Sequence, residues 1–299
     1  MAPLGAIAQR ETGRDTIERA RARASLIPSL LVEAQRVANT VFSGWHGRRK
    51  RGVGENFWQF RPYSPGESMS RIDWRRSARD ETNIFVQDKE WQATHTVWLW
   101  VDESPSMLFK SETATVSKQS RALVLAFAMA ELLAKSGERV GWLGLTKPIL
   151  SRKAAEKLAE ALVLGKPQTE FPANSELGPH SDLVIVSDFL DPIEEISQKL
   201  ESLYKRGARG HVVQMVDPVE ETFPYSGRIE FSDPETGEKF TAGNAEMLKQ
   251  QYEAEISART DAIRQITNRL GWSFTRHHTD RLASEALIHL HTHLGERSI

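Results

Sequence analysis

The amino-acid sequence predicts an α/β fold: a mostly parallel sheet with helices on both faces. Three observations carry this expectation. From Thr96 onward, short apolar runs alternate with longer amphipathic segments. The runs are nearly continuous, as in "VWLWV" (Val97–Val101) and "LVIVS" (Leu183–Ser187), the pattern of strands buried on both faces. Glycine follows two of the amphipathic segments, at Gly137 and Gly207, where a helix commonly ends in a left-handed residue.

Taken in order, residues 1–15 read as frayed. Thr16 to about Phe42 reads as one or two amphipathic helices, with Pro28 near a start or kink. "GWHGRRKRGVG" is a glycine- and arginine-rich connector. "NFWQFRPYS" and "NIFVQDKEW" read as strands flanking a long irregular loop, in which Pro65-Gly66 is a turn and Ile72 and Trp74 are apolar anchors. Val97–Val101 is a strand, Lys118–Lys135 a helix, Val140–Leu145 a strand, and Arg152–Leu164 a helix with Ser151 as N-cap. Leu183–Ser187 (strand), Ile193–Arg206 (helix) and His211–Val216 (strand) continue the alternation. "GRIEFSDPETGEKFTAG" interrupts it as an inserted β-hairpin. A long helix from Ala245 to Leu270, a last strand in "WSFTRHH" and a closing helix over Arg281–Leu294 complete the chain. The division expected is an N-terminal helical segment (1–44), a β-rich segment (45–94) and an α/β domain (95–299) with the hairpin inserted at 219–245.

Composition narrows the function classes. Lys and Arg (39) nearly cancel Asp and Glu (40), so no global field favours nucleic acid or an anionic membrane. The absence of cysteine excludes disulfides, thiolate metal ligands and a cysteine nucleophile, and fits a reducing cytoplasm. No segment approaches the roughly 20 apolar residues of a spanning helix. The expectation is a soluble, cytoplasmic protein. There is no Walker A motif, no Gly-x-Ser-x-Gly elbow and no Asp-x-Asp after the first strand.

In parallel sheets, functional groups gather beyond the carboxyl ends of the strands. Two strands end in acid here, at Asp102 and at Asp188, and Asp102-x-Ser104-x-Ser106 adds two hydroxyls from one turn. These hard oxygens suit Mg²⁺ or Mn²⁺ and not zinc. With few charged donors, an ion held there would keep an open position for an external carboxylate from a protein partner. The competing interpretation is that Asp102 and the serines only cap the turn after the strand.

Asp102, Ser104, Ser106 and Asp188 resemble the metal-ion-dependent adhesion site of von Willebrand factor A domains. The resemblance implies that all four hold the metal, and that a threonine completes the set. Ser151 and Thr169 are the candidates for that position. The segment before the sheet is similar to the signature of the DUF58 family, through Gly52, Gly54 and Phe57, then Arg61, Tyr63, Pro65 and Gly66, then Ile72, Asp73, Trp74, Ala78 and Arg79. Glu67 stands where that family usually has aspartate. This second resemblance implies a von Willebrand A-like fold and a MoxR-type AAA+ ATPase as partner. The function implied is a non-enzymatic, Mg²⁺-dependent adaptor. A metal-dependent phosphoesterase on the same residues and a nucleic-acid module using the arginines from Arg48 to Arg79 are the alternatives. His289 and His293, at i and i+4, have zinc-compatible spacing without a third ligand. Trp58, Trp74, Trp91, Trp98 and Trp100 read as core packing.

Overall fold

The structure is a computed structural model, and it describes residues 13–46, 59–64, 68–69, 72–80, 83–88, 95–169, 177 and 181–295. By internal contacts the chain divides into two units, residues 1–43 with 95–299, and residues 44–94.

The larger unit is built on a five-stranded, wholly parallel sheet. In chain order its elements are α1 (Gly13–His46, continuing past this unit), β3 (Thr96–Val101), α3 (Lys118–Lys135), β4 (Arg139–Trp142) and α4 (Ala154–Leu164). β5 (Asp182–Ser187), α5 (Ile193–Lys205), β6 (Arg209–Val216) and α6 (Pro218–Thr222) follow. β7 (Ile229–Ser232), β8 (Lys239–Ala242), α7 (Glu246–Arg269), β9 (Ser273–His278) and α8 (Ala283–Gly295) close the chain. The smaller unit holds β1 (Gln59–Pro62), α2 (Trp74–Ser77) and β2 (Phe85–Asp88). The sheet order is β4-β3-β5-β6-β9, so the two strands that end in acid, β3 and β5, are neighbours inside it.

The pleat sorts the apolar runs onto two faces. Val97, Leu99 and Val101 of β3, Val184 and Val186 of β5, and Val213 and Met215 of β6 pack with α1, α3, α4 and α8. Trp98, Trp100, Leu183, Ile185 and Val212 point the other way, against α5 and α7. Both faces are covered, which explains why the strands lack polar alternation. Close approach is visible at Gly210, where an added Cβ would fall 1.9 Å from the Trp272 indole.

Several boundaries differ from those expected, each for a local reason. Helix α1 is continuous through Pro28 and includes residues 13–15. It is anchored by Ile27, Leu30, Ala34, Ala38 and Val41 on one buried stripe. Strand β4 stops at Trp142, because the chain turns at Gly144 (φ +79°) and Thr146 Oγ1 accepts the Trp142 N–H at 2.9 Å. Helix α4 starts at Ala154 with Lys153 at its N-cap, and the Ser151 hydroxyl accepts the Lys153 N–H at 3.2 Å while its carbonyl accepts the Ala154 N–H at 3.1 Å. Helix α3 ends as expected, with Gly137 left-handed just beyond it.

In the smaller unit β1 and β2 pair antiparallel, with Ile72 bridging to Val86. Asp73 caps the single turn of α2, accepting the Arg76 N–H at 3.0 Å, and Ser77 Oγ accepts the Phe85 N–H at 2.9 Å. Trp74 is 61% exposed, so the apolar anchor expected of it is not made; among the described residues of this unit the buried one is Val86. Gly52, Gly54, Phe57, Pro65, Gly66 and Glu67 lie outside the described residues.

At the amino ends of the strands, Asp182 is buried and clamps three elements. His95 Nε2 lies 2.7 Å from Oδ2, Arg209 Nε 2.8 Å from Oδ1, and His211 Nε2 3.9 Å from Oδ1. Burial works against the Asp182 charge, but the neighbouring imidazoles of His211 and His95, the latter hydrogen-bonded to it, outweigh it and hold the carboxyl well below its usual range. The same hydrogen bond, aided by the nearby Glu138 and opposed by burial and Arg209, raises the His95 pKa above its ordinary value. A histidine whose folded pKa is raised stabilises fully below its unfolded value, and the contribution disappears as pH climbs through the folded value. The stability gap between wild type and His95→Gln in urea unfolding should therefore be widest near about pH 5.5 and narrow towards about pH 8.5. A gap that stays constant across that window would contradict the clamp.

Candidate functional site

The carboxyl ends of β3 and β5 bring together three of the four expected residues as a connected cup. Asp102 continues the ladder, its N–H donating to Val186 O at 2.9 Å. Its Oδ1 accepts the Ser104 N–H at 2.8 Å and its Oδ2 accepts the Ser187 hydroxyl at 2.7 Å, a tie across to the neighbouring strand. The Ser104 and Ser106 hydroxyls lie 3.0 Å apart, and all three side chains are buried. Pro105 starts a single 3₁₀ turn, Pro105–Leu108, yet Ser104 makes no side-chain capping bond to it. The hydroxyls therefore face each other and not the helix end.

Asp188 follows β5 directly and is engaged differently. It accepts a hydrogen bond at 2.8 Å from Lys118 Nζ, which also donates to Glu220 Oε1 at 2.6 Å. Lys118 is the first residue of α3 and is fully buried. Burial alone would discharge it, but Asp188 and then Glu220 outweigh that cost and raise its pKa, so it stays an ammonium. Burial pushes the Glu220 carboxyl up, against the pull of Lys118. Burial also pushes Asp102 up, with the like charge of Asp188 adding to it and the hydrogen bonds from Ser187 and Ser104 opposing it. Two carboxylates, Asp188 and Glu220, thus share one ammonium, with the buried Asp102 carboxylate near Asp188.

The backbone is strained beside both acids. Phe189, after Asp188, has φ +56°, and Phe223, three residues past Glu220, has φ +38°. Bulky residues in the left-handed region cost about 1 kcal/mol or more each, so the surroundings must hold them there. At Phe189, Ser187 Oγ accepts its N–H at 3.0 Å and Arg259 donates to its carbonyl at 3.1 Å.

The two candidates for the threonine position fall in different places. Ile149 pairs antiparallel with Val140, so the chain has turned back along β4 before it reaches Ser151. Thr169 follows Gln168, which exchanges hydrogen bonds with Glu103: the Glu103 N–H donates to Gln168 O at 2.9 Å, and the Gln168 N–H to Glu103 Oε2 at 2.9 Å. Thr169 is thereby tied to the loop that carries Asp102, and Ser151 is not.

Lys118, Glu220, Ser187 and Glu235 were not read from the sequence as participants. Lys118 looked like an ordinary helix start, because its partners are 70 and 102 residues away. Glu235 looked like a hairpin turn residue. Its N–H is held by Asp233 Oδ1 at 2.8 Å, and its carboxyl is pushed up by burial and then by the negative charges of Asp191, Asp188, Asp233 and Asp102. The hairpin thus carries an acid into the field of the cup.

The remaining candidates stay apart. His289 and His293 meet edge-on on α8, their ring centres 4.5 Å apart, and among the described residues no group of three His, Cys, Asp or Glu is placed to hold a metal. His277 is buried and its pKa is lowered to about 4 by that burial, with Arg121 and His278 contributing. His278 Nε2 meets Glu221 at 2.6 Å. Arg75, Arg76 and Arg79 are exposed, while Arg48, Arg49, Arg51 and Arg71 lie outside the described residues. Trp98 and Trp100 are core residues, as expected; Trp58 and Trp91 lie outside the described residues. No helix among the described residues is long and apolar enough to cross a membrane.

Fold and site together define a parallel α/β domain with a carboxylate–hydroxyl cup at its strand ends, preceded by a small β-rich unit. The family model described as "Protein of unknown function DUF58" matches residues 59–262, and the chain belongs to that family. It is 26% identical over 236 residues to the uncharacterized proteins Rv1480 of Mycobacterium tuberculosis and Mb1516 of Mycobacterium bovis, covering 72% of this chain and 71% of theirs. Among solved structures it is similar to the conserved hypothetical protein BatB from Bacteroides thetaiotaomicron (TM-score 0.39, 15% identity, 68% of this chain and 99% of that one). An aerotolerance-related membrane protein from Bacteroides fragilis is similar at TM-score 0.36 and 16% identity, with the same coverage.

Removing one partner from a buried ion cluster leaves the others uncompensated. Lys118→Met should lower unfolding free energy in urea by about 3–5 kcal/mol. The triple variant Lys118→Met/Asp188→Asn/Glu220→Gln should recover most of that loss. Equal instability of the two variants would mean that Lys118 acts through packing alone.

Proposed function

We propose that this protein is a non-enzymatic adaptor that grips protein partners through a divalent ion, Mg²⁺ or Mn²⁺, at the ends of β3 and β5. Asp102, Ser104, Ser106 and Asp188 would hold the ion, with Thr169 the better placed of the two candidates for the remaining position. The single observation that supports this reading is the convergence of the buried Asp102 carboxylate with the paired Ser104 and Ser106 hydroxyls, beside a second acid. The donor chemistry fits: all are hard oxygens, and the excess of buried negative charge would be relieved by a dication. Such an ion would act as a Lewis acid, offering its open position to a partner's Asp or Glu. Lys118, which donates to Asp188, would compete with the ion there.

The von Willebrand A-like character of the domain and a MoxR-type AAA+ ATPase as partner belong to the same proposal. They rest on the resemblance of the Asp102-x-Ser104-x-Ser106 turn and of the segment around Arg61 to Arg79. In that setting the chain would link an ATPase that remodels proteins to its client.

Titration calorimetry with MgCl₂ should give binding that weakens by at least about tenfold in Asp102→Ala. In parallel, capture of native proteins by the wild type should depend on Mg²⁺, and should be lost both in EDTA and in Asp102→Ala. Identical captured sets in every arm, with no heat of Mg²⁺ binding, would overturn the proposal. Mg²⁺-dependent phosphoester turnover lost in Asp102→Ala would replace it with the phosphoesterase reading.

A further inference from the structure

A second site lies on the far side of Lys118. A cavity of about 380 Å³ is lined by Phe109, Phe223, Tyr225, Phe231, Phe240 and Tyr252, with Val219, Leu248 and Glu220 completing the wall. Four of these rings form one nest: Phe223 lies 4.7 Å from Tyr252, 5.1 Å from Tyr225 and 5.8 Å from Phe231, and Tyr225 meets Phe231 edge-on at 5.4 Å. The nest is assembled from three places, the end of α6, the β7–β8 hairpin and the first turns of α7. Its central ring, Phe223, is the residue whose backbone is left-handed. Strain of that kind is retained where surrounding structure over-determines it, and it concentrates at ligand sites.

An apolar cavity of this size would ordinarily call for an apolar occupant. The charges argue otherwise. Glu220, the one acid in the wall, keeps a fifth of its side chain exposed. Behind it Asp217 is fully buried and accepts only neutral donors: the Ser111 N–H at 3.0 Å, the Val219 N–H at 3.1 Å and the Thr279 hydroxyl at 3.4 Å. Asp188 and Glu220 thus share the single charge of Lys118, with the Asp217 carboxylate next to them at the start of α6. The charges of Glu220 and Asp217 act on the rings. The Tyr252 hydroxyl is pushed up to about 12, by burial first and then by Glu220, and Tyr225 is pushed up by burial, Asp217 and Glu220. Aromatic faces attract cations, and most strongly where water is excluded. The cavity wall already shows this chemistry, where the Lys118 ammonium lies 5.8 Å from the Phe109 ring centre.

We propose that the nest of Phe223, Tyr225, Phe231 and Tyr252 binds an organic cation, an alkylammonium or guanidinium group, with its charge directed to Glu220. The group could be carried by a free small molecule or by a lysine or arginine side chain of a protein; the chemistry recognised is the same. Phe109 and Phe240, exposed at the rim, close over the stem that bears the cation. This inference does not depend on the metal reading, and it is tested with EDTA present throughout.

The probes are choline and its neutral isostere 3,3-dimethylbutan-1-ol, followed by acetylated tripeptides carrying Lys, Arg or norleucine at the centre. Saturation-transfer and shift-titration NMR on the full chain should show choline binding at least about fivefold tighter than the isostere. Tyr225→Leu and the rim variant Phe240→Leu keep the site apolar. Each should cut cation affinity by about threefold to about tenfold and leave the isostere unchanged. Phe240 is exposed, so its variant reports even if the Tyr225 change disturbs folding. Binding of choline assigns the site to a free cation, and binding of only the Lys or Arg peptide assigns it to a side chain. Equal affinity for cation and isostere, unaltered affinity in both variants, or no binding by any cationic probe would overturn the proposal.

Discussion

The buried ammonium of Lys118 is the interaction on which the functional end of this protein depends. It opens α3, yet it reaches Asp188 beyond β5 and Glu220 in the first turn of α6. Three elements far apart in sequence are thereby pinned to one charge. Such a pin is costly, because each ion loses its hydration, and it holds only when geometry and further hydrogen bonds repay the loss. Here they do: Glu220 also closes the capping box of α6, its Oε2 accepting the Asp217 N–H at 2.8 Å. Moving Lys118 would release Asp188, loosen α6 and unseat the hairpin that packs behind Phe223.

The sheet supplies what Lys118 cannot. Parallel pairing of β3 with β5 sets their carboxyl ends side by side, and the Ser187 hydroxyl locks Asp102 across that seam. Both strands are buried on two faces, so a slip of one residue would move tryptophans into the space filled by valines and leucines. The positions of Asp102 and Asp188 are therefore fixed by packing many residues away from them. The hydroxyls of Ser104 and Ser106 are then placed by the tight turn that Pro105 begins.

Legibility from the sequence followed the range of the interactions. Strands β3, β5 and β6 and helices α3, α5 and α7 were readable because period and capping are local properties, carried by Val97–Val101, Gly137 and Gly207. Asp102, Ser104 and Ser106 were readable for the same reason, since alternate positions in one turn share a site. Lys118 was hidden because a lysine at a helix start normally faces water. Its burial is decided by two acids that no local pattern announces. Ser151 looked suitable by its distance along the chain, and the reversal at Gly144 that carries it away has no counterpart in hydrophobic period. Trp74 misled for a related reason: aromaticity suggests burial, but a one-turn helix capped by Asp73 presents it outward.

The cup and the aromatic nest draw on the same charge. Lys118 divides its single positive charge between Asp188, which borders the cup, and Glu220, which lines the cavity of the nest. A dication beside Asp188 would weaken the hold of that acid on the ammonium, leaving Lys118 to neutralise Glu220 more completely. A cation in the nest would do the converse, satisfying Glu220 and strengthening the claim of Asp188 on Lys118. The two proposed occupants would then oppose one another, through one shared lysine and without any movement of the sheet. By thermodynamic linkage the antagonism must be equal in both directions. Glu235 belongs to the same arrangement, because the hairpin that supplies Phe231 to the nest also carries this carboxylate into the field of the cup. An occupant that shifts the hairpin would change the charge facing Asp102 and Asp188, so the insertion is a second element, beside α3 with its Lys118, through which both sites can be addressed together.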